Sequence, residues 1–243
     1  MDKGTVIVTG ANSGIGLACV NELFSAGYDV VALVHTPRPE VSAHFATLNA
    51  ERHNAIAEFS CDLNDFTAVK DIVTKLRHLP LVGLVNNAGI LPQDKLFVMT
   101  PLADLEHCFK VNCLSAINLT QLVVRLMMRD PAKKPKSIVM VSSINALDGY
   151  GPVEYAVSKG ALISLATKLA RELQSSNIRV NSVCPGITAT PFNPEIPAEL
   201  KKLMQSRSIS HNDLTAEQVA STIVYLITPA SSGINGQCLQ VRN

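Results

Sequence analysis

Seven short apolar runs, rich in β-branched residues, punctuate this chain, and helical patterns fill the intervals between them. The runs are Thr5–Val8, Asp29–Val34, Ile56–Ser60, Leu81–Val85, a stretch centred on Ile138, Ile178–Val183 and Gln237–Val241. The helical patterns cover Leu17–Ser25, more weakly Val41–Arg52, then Asp65–Arg77, a long segment from Thr100-Pro101 to Arg129, Tyr155 to about Gln174, and Thr215–Ile227. Thr100-Pro101 reads as an N-cap followed by proline at the first helical position, and Thr215-Ala-Glu-Gln218 as a capping box. Consecutive rather than alternating apolar positions mean strands buried on both faces. Strand–helix alternation with such strands predicts an α/β chain: one doubly wound parallel sheet of about seven strands with helices on both sides. The 243 residues carry no repeat and no linker, so one domain over 1–243 is expected.

Composition narrows the function classes. Lys plus Arg is 21 against 20 for Asp plus Glu, a balance that calls for neither nucleic acid nor an anionic membrane. No apolar run approaches the roughly 20 residues that span a bilayer. Met1-Asp-Lys-Gly runs into the first strand without a signal-peptide pattern. The six cysteines are scattered, with neither CxxC nor zinc-type spacing, so free buried thiols and no metal site are expected. These features together predict a cytoplasmic protein.

Chemistry concentrates where strands end. Thr9-Gly-Ala-Asn-Ser-Gly-Ile-Gly16 lies between the first strand and the first helix. Glycines there let the chain turn tightly and let a pyrophosphate approach N–H groups at the helix start, which makes Gly10, Asn12, Ser13, Gly14, Ile15 and Gly16 a candidate dinucleotide cradle. The spacing is GxxxGxG, not the general GxGxxG. After the second strand come His35, Thr36 and Arg38, with no carboxylate to hold a ribose 2′-hydroxyl. That set suits a 2′-phosphate, so NADP is favoured, with NAD as the other option. Asp62, with Leu63 beside it, follows the third strand and suits an adenine amino group; helix capping is its ordinary alternative. Asn87, Ala88 and Gly89 close the fourth strand, where small and amide side chains suit the adenosine ribose. Asn112, midway along a long helix, suits a water that relays protons to Lys159; a surface position is the alternative. Ser142 ends the fifth strand. Tyr155 and Lys159, four residues apart, stand one turn apart on a helix, where a lysine cation would draw a phenol's pKa down from about 10. Pro185 and Gly186 end the sixth strand, and Thr188 and Thr190 follow, suited to a carboxamide and a phosphate.

In order and spacing, Thr9–Gly16, Asn86-Asn-Ala-Gly89, Asn112, Ser142, Tyr155-Ala-Val-Ser-Lys159 and Pro185-Gly186 resemble the short-chain dehydrogenase/reductase family over essentially the whole chain. The resemblance implies a Rossmann-type fold, a catalytic tetrad of Asn112, Ser142, Tyr155 and Lys159, and hydride transfer between a nicotinamide and a carbonyl. It implies a short substrate lid around 190–212 and assembly into a homodimer or homotetramer. Leu122, Val123, Leu126 and Met127 suit a subunit contact or the chain's own core. The small lid and minimal length point by analogy to a 3-oxoacyl thioester. Steroid, sugar or xenobiotic carbonyls, an NAD-dependent alcohol dehydrogenase and a non-catalytic cofactor-binding regulator are the alternatives. A basic stretch, Arg125, Arg129, Lys133, Lys134 and Lys136, suits an acidic carrier protein or a solvated loop. The C-terminus, Leu239-Gln-Val-Arg-Asn243, departs from the Val-Asp-Gly-Gly of many relatives.

Overall fold

The computed structural model describes residues 3–130, 134–192 and 213–242. Seven strands form one parallel sheet in the order β3-β2-β1-β4-β5-β6-β7. They are β1 (Thr5–Thr9), β2 (Asp29–Val34), β3 (Ile56–Ser60), β4 (Leu81–Asn86), β5 (Lys136–Val141), β6 (Ile178–Pro185) and β7 (Cys238–Val241). The helices are α1 (Gly14–Ser25), α2 (Pro39–Glu51), α3 (Phe66–Lys75), α4 (Leu102–Phe109), α5 (Ser115–Met127), a short α6 (Asn145–Asp148), α7 (Val153–Glu172) and α8 (Ala216–Ile227). The expected sheet and its helical cover are therefore present.

The burial pattern explains the apolar strands. On β1, Val6 and Val8 face one core with α1 and α8, while Ile7 faces a second core with α3, α5 and α7. The central strands are buried at nearly every position, whereas the edge strands β3 and β7 are partly exposed. The chain leaves β1 toward β3 on one side and crosses to β4 on the other. The crevice at this reversal, outside the carboxyl ends of β1 and β4, is where such sheets bind ligands.

Local chemistry sets the boundaries. The Thr215 capping box is complete: its hydroxyl accepts the Gln218 N–H, and the Gln218 side chain accepts the Thr215 N–H. Asp65, not Asp62, caps α3, accepting the N–H groups of Thr67 and Ala68 at 3.0 Å. At the fourth helix the cap falls on Pro101, whose extended ψ of 143° starts the helix one residue later than expected. The long helix expected to reach Arg129 is not continuous. A π-helical turn over Lys110–Leu114 separates α4 from α5. The short α6 stands between β5 and α7 and ends at Gly149, which adopts a φ of +76°.

The surface readings divide. Val123 and Met127 lie in the chain's own core, and Leu122 and Leu126 pack against it, so they do not form an outward apolar face. Lys136 is buried, its ammonium held by Asp130 at 2.9 Å and by the Lys134 carbonyl, so it leaves the basic stretch; Lys133 lies outside the described residues. Most of the expected lid, 193–212, likewise lies outside them. Among the described residues no helix is long and apolar enough to cross a membrane.

Candidate active site

The switch-point crevice is stitched together by Thr9 and Asn87. The Thr9 hydroxyl accepts the N–H groups of Asn87 and Ala88, each at 2.9 Å, and the Asn87 amide donates to the Thr9 carbonyl at 3.0 Å. This fixes the end of β4 against the glycine turn. Gly10 and Gly14 adopt φ of +63° and +47°, which side-chain-bearing residues rarely take. A Cβ on Gly14 would come within 3.0 Å of Thr190, so Thr190 closes over the turn from the far side. Ser13 occupies the N-cap of α1 without a side-chain capping bond. An uncapped helix start behind left-handed glycines suits a pyrophosphate.

A cavity of about 760 Å³ runs from this turn, past Asn87, Ala88 and Gly89, to Tyr155 and Lys159. Gly10, Ser13, Gly14, Ile15, Pro185, Gly186, Thr188 and Thr190 also line it. Thr188 is buried, and its hydroxyl donates to the Gly186 carbonyl at 3.0 Å. Gly16 lies behind the wall, packed on the Gly10 carbonyl. Asn12, His35, Thr36, Arg38, Asp62 and Leu63 stand outside the cavity, beside the ends of β2 and β3. Asn12 ties the two regions together by donating to the Thr36 carbonyl at 2.6 Å. His35, Thr36 and Arg38 are exposed, and Asp62 accepts the Asn64 N–H at 2.9 Å. The residues present fit a nicotinamide dinucleotide in shape: a glycine cradle at one end, buried polar groups at the other, and room between.

The polar end comes from β5, α6 and α7. Tyr155 and Lys159 are both buried on α7, and the Lys159 ammonium lies 5.7 Å from the Tyr155 ring centroid. Ser142 is tied to the α7 backbone. Its hydroxyl donates to the Lys159 carbonyl at 2.7 Å, pinning β5 to α7. Ser143 lines the cavity with Tyr155, and its hydroxyl receives the Asn145 N–H at 3.2 Å. The strand ends at Val141, so both serines lie in the turn that leads into α6. The doublet Ser142-Ser143 was the available signal, but only the turn selects between its hydroxyls. Asn112 sits in the π turn. Its amide clamps Ile90, accepting the Ile90 N–H at 2.7 Å and donating to its carbonyl at 3.0 Å, and it also reaches Ser158 at 3.1 Å. A Cβ on Gly89 would lie 2.9 Å from the Asn112 Oδ1 and 3.5 Å from the Lys159 Nζ, so this glycine keeps the two groups close.

Burial dominates the protonation of the pair. It pushes the Tyr155 phenol up to about 12, against a downward pull from Ser143, and holds the Lys159 ammonium down to about 8. The expectation that Lys159 draws the phenol down is not met in the isolated chain, where the ammonium donates to the Val141 carbonyl at 2.7 Å. Lys159 thus binds fewer protons folded than unfolded between pH 8 and the free value of 10.5. Its charging penalty is full below about 8 and fades as pH rises toward 10.5. At neutral pH that penalty is roughly 3 kcal/mol, against about 1 kcal/mol for the bond to Val141. Lys159→Met is therefore expected to raise the melting temperature of the unliganded protein at pH 7 while removing activity. The gain should shrink at pH 10; a gain unchanged by pH would contradict the assignment.

The family whose profile matches residues 10–243 is described as enoyl-(acyl carrier protein) reductase. The chain is 31% identical to a 3-oxoacyl-(acyl-carrier-protein) reductase of Thermotoga maritima, over 97% of this chain and 94% of that protein. It is 32% identical to an L-xylulose reductase of Caenorhabditis elegans, over 97% and 93%. A short-chain type dehydrogenase/reductase from Mycobacterium ulcerans superposes with a TM-score of 0.90 at 26% identity, covering 99% of this chain and 89% of that one. With the glycine turn, the Tyr155–Lys159 pair and the seven-stranded sheet all in place, the chain belongs to the short-chain dehydrogenase/reductase family, and is an oxidoreductase of that family.

Proposed function

We propose that this protein reduces a carbonyl with NADPH, with a 3-oxoacyl thioester as the preferred substrate class. The observation that carries the reaction is the buried Tyr155–Lys159 pair, with the ammonium 5.7 Å from the ring centroid, in a cavity whose other end is a dinucleotide cradle. A nicotinamide dinucleotide, when bound, supplies the hydride. Tyr155, a protonated phenol at neutral pH, delivers the proton to the substrate oxygen. Ser143 donates a hydrogen bond to that oxygen as negative charge develops on it. Lys159 holds the ribose hydroxyls and steadies the phenolate left behind. Asn112 fixes the Ile90 loop and keeps a relay water beside Lys159. Ser142 positions α7 through the Lys159 carbonyl.

The cofactor preference rests on the end of β2, where His35, Thr36 and Arg38 stand exposed with no carboxylate among them. Asp62 and Leu63 flank the adenine. The thioester class is supported by the Thermotoga relative and by a 26% identical acetoacetyl-CoA reductase of Acinetobacter. A sugar carbonyl is the second reading, supported by the L-xylulose reductase and by polar Gln93, Asp94 and Asn145 in the cavity wall. Assembly into a homodimer or homotetramer is supported by exposed Leu96, Phe97, Val98, Met99 and Leu102. We place the protein in the cytoplasm, acting without nucleic acid or membrane.

The test is a spectrophotometric comparison of NADPH with NADH across acetoacetyl thioesters, diketones, ketosugars and ketosteroids. NADPH oxidation with the thioesters is expected to exceed the rest; oxidation with ketosugars alone would favour the second reading. The two serines separate cleanly. Ser143→Ala is expected to lower kcat by about a hundredfold. Ser142→Ala should leave kcat within a few-fold and lower stability by about 1 kcal/mol, one lost hydrogen bond. The reverse order in a kcat comparison would reassign the roles.

A further inference from the structure

The fold brings together two sulfurs that stand 54 residues apart in the chain. Cys184 lies near the end of β6 and is fully buried; Cys238 opens the edge strand β7 and is exposed. The register pairs Ser182 with Cys238 and Cys184 with Gln240, so both cysteines leave the same face of the sheet as diagonal neighbours. Their Sγ atoms are 3.3 Å apart. The other four cysteines, Cys19, Cys61, Cys108 and Cys113, are buried.

Cys184 also touches the active site. The backbone on either side of it carries the serine turn: the Ser142 N–H donates to the Val183 carbonyl at 2.8 Å and the Ile144 N–H to the Pro185 carbonyl at 3.0 Å. Ser142 holds the Lys159 carbonyl, and Ser143 lines the cavity with Tyr155. The next two residues, Pro185 and Gly186, wall the cavity, and the Gly186 N–H is bonded to Val241 of β7 at 2.9 Å. One sulfur therefore faces a solvent-borne oxidant, and the other sits behind the proton-donating groups.

We propose that Cys184 and Cys238 are a reversible dithiol–disulfide site, oxidised by hydroperoxides, whose closed form draws Cys184 away from Ser142 and Ser143 and slows turnover. The Cys238 thiolate attacks a hydroperoxide oxygen. The O–O bond breaks, the departing oxygen leaves as an alcohol or water, and Cys238 becomes a sulfenic acid. The Cys184 thiol then attacks that sulfur, losing its proton. The S–O bond breaks, the S–S bond forms and water leaves. Two thiols give up two electrons and two protons, and the hydroperoxide takes them. Burial, which pushes the Cys184 thiol up to about 12, makes exposed Cys238 the first to react. Closure needs the sulfurs to approach by about 1.2 Å, to the usual bond length near 2.05 Å. Thiol exchange reverses it.

The bridge itself is independent of the reductase reading; its effect on turnover rests on that reading. The experiment treats the reduced protein and Cys238→Ser with hydrogen peroxide, then with dithiothreitol. Intact mass, peptide mapping, turnover and nucleotide binding are followed. The wild type should lose the mass of two hydrogen atoms and yield a linked Cys184–Cys238 peptide. Turnover should fall by up to about a hundredfold, the scale that an ångström of misplacement produces. Dithiothreitol should restore both. Cys238→Ser should match the reduced wild type and resist peroxide. Accumulation of Cys238 sulfinic acid without a linked peptide overturns the bridge. A linked peptide with unchanged turnover overturns its coupling to the site. Should no carbonyl be turned over at all, the linked peptide still decides the bridge. Weakened nucleotide binding after oxidation then decides the coupling.

Discussion

Tyr155→Phe is expected to lower turnover by about a thousandfold, within the range that a positioned general acid contributes. The substitution removes one oxygen and little else. The ring would keep its place near Phe192, with centroids 6.3 Å apart, and beside Lys159. Stability should change by no more than about 1 kcal/mol, the scale of one hydrogen bond. Nucleotide binding should stay within a few-fold, since the cradle at Gly10, Gly14 and Thr190 lies at the other end of the cavity. The measurement is kcat beside a nucleotide titration and a melting curve. A variant retaining near-normal kcat removes Tyr155 from the reaction. Loss of binding together with kcat would make its role structural instead.

Gly16→Ala should be the most damaging small substitution in the glycine turn. An added Cβ would lie 2.1 Å from the Gly10 carbonyl oxygen and 2.7 Å from the Asn87 amide nitrogen. The first obstacle is backbone, so no rotamer change relieves it. The turn must open, and with it the Thr9–Asn87 stitching between β1 and β4. The loss should exceed the roughly 1–3 kcal/mol of ordinary overpacking. At about 2–4 °C per kcal/mol for a chain of this size, that is a fall of many degrees in melting temperature. Nucleotide affinity should fall as well. Gly160→Ala is the matched control. Gly160 lies within α7 and a Cβ there meets nothing within 4 Å. Alanine should stabilise that helix by about 0.5–1 kcal/mol. If the two substitutions melt alike, the close packing at Gly16 is not what holds the turn.

The scaffold was legible because it is written in periodicity. All seven strands lie where apolar runs fall, and the Thr215 box and the glycine turn announce their helices. The active-site detail was less legible for identifiable reasons. Ser142 and Ser143 are chemically identical neighbours, and the turn after Val141 sorts them. The sulfurs of Cys184 and Cys238 meet only because β7 lies beside β6, a pairing set by the whole sheet. The balance between burial and charge on Tyr155 and Lys159 depends on how deeply α7 is packed. Val123 and Met127 look alike for a core or an interface, since both bury an apolar stripe.

The π turn between α4 and α5 stores information of another kind. Asn112 and Cys113 are both buried inside the π turn, and the buried face continues through Ala116, Leu119, Val123 and Met127 of α5. The segment holds one residue more than regular winding needs. Deleting a single residue there, Val111 for instance, would let the helix close into uninterrupted α winding. The flanking helices would keep their relative phase, but the wide turn that aims Asn112 would be gone. Asn112 could then no longer face Ile90 while α5 keeps its buried stripe. Evolution at this segment is therefore constrained by arithmetic: substitutions change what the clamp is made of, but a change of length by one decides whether there is a clamp.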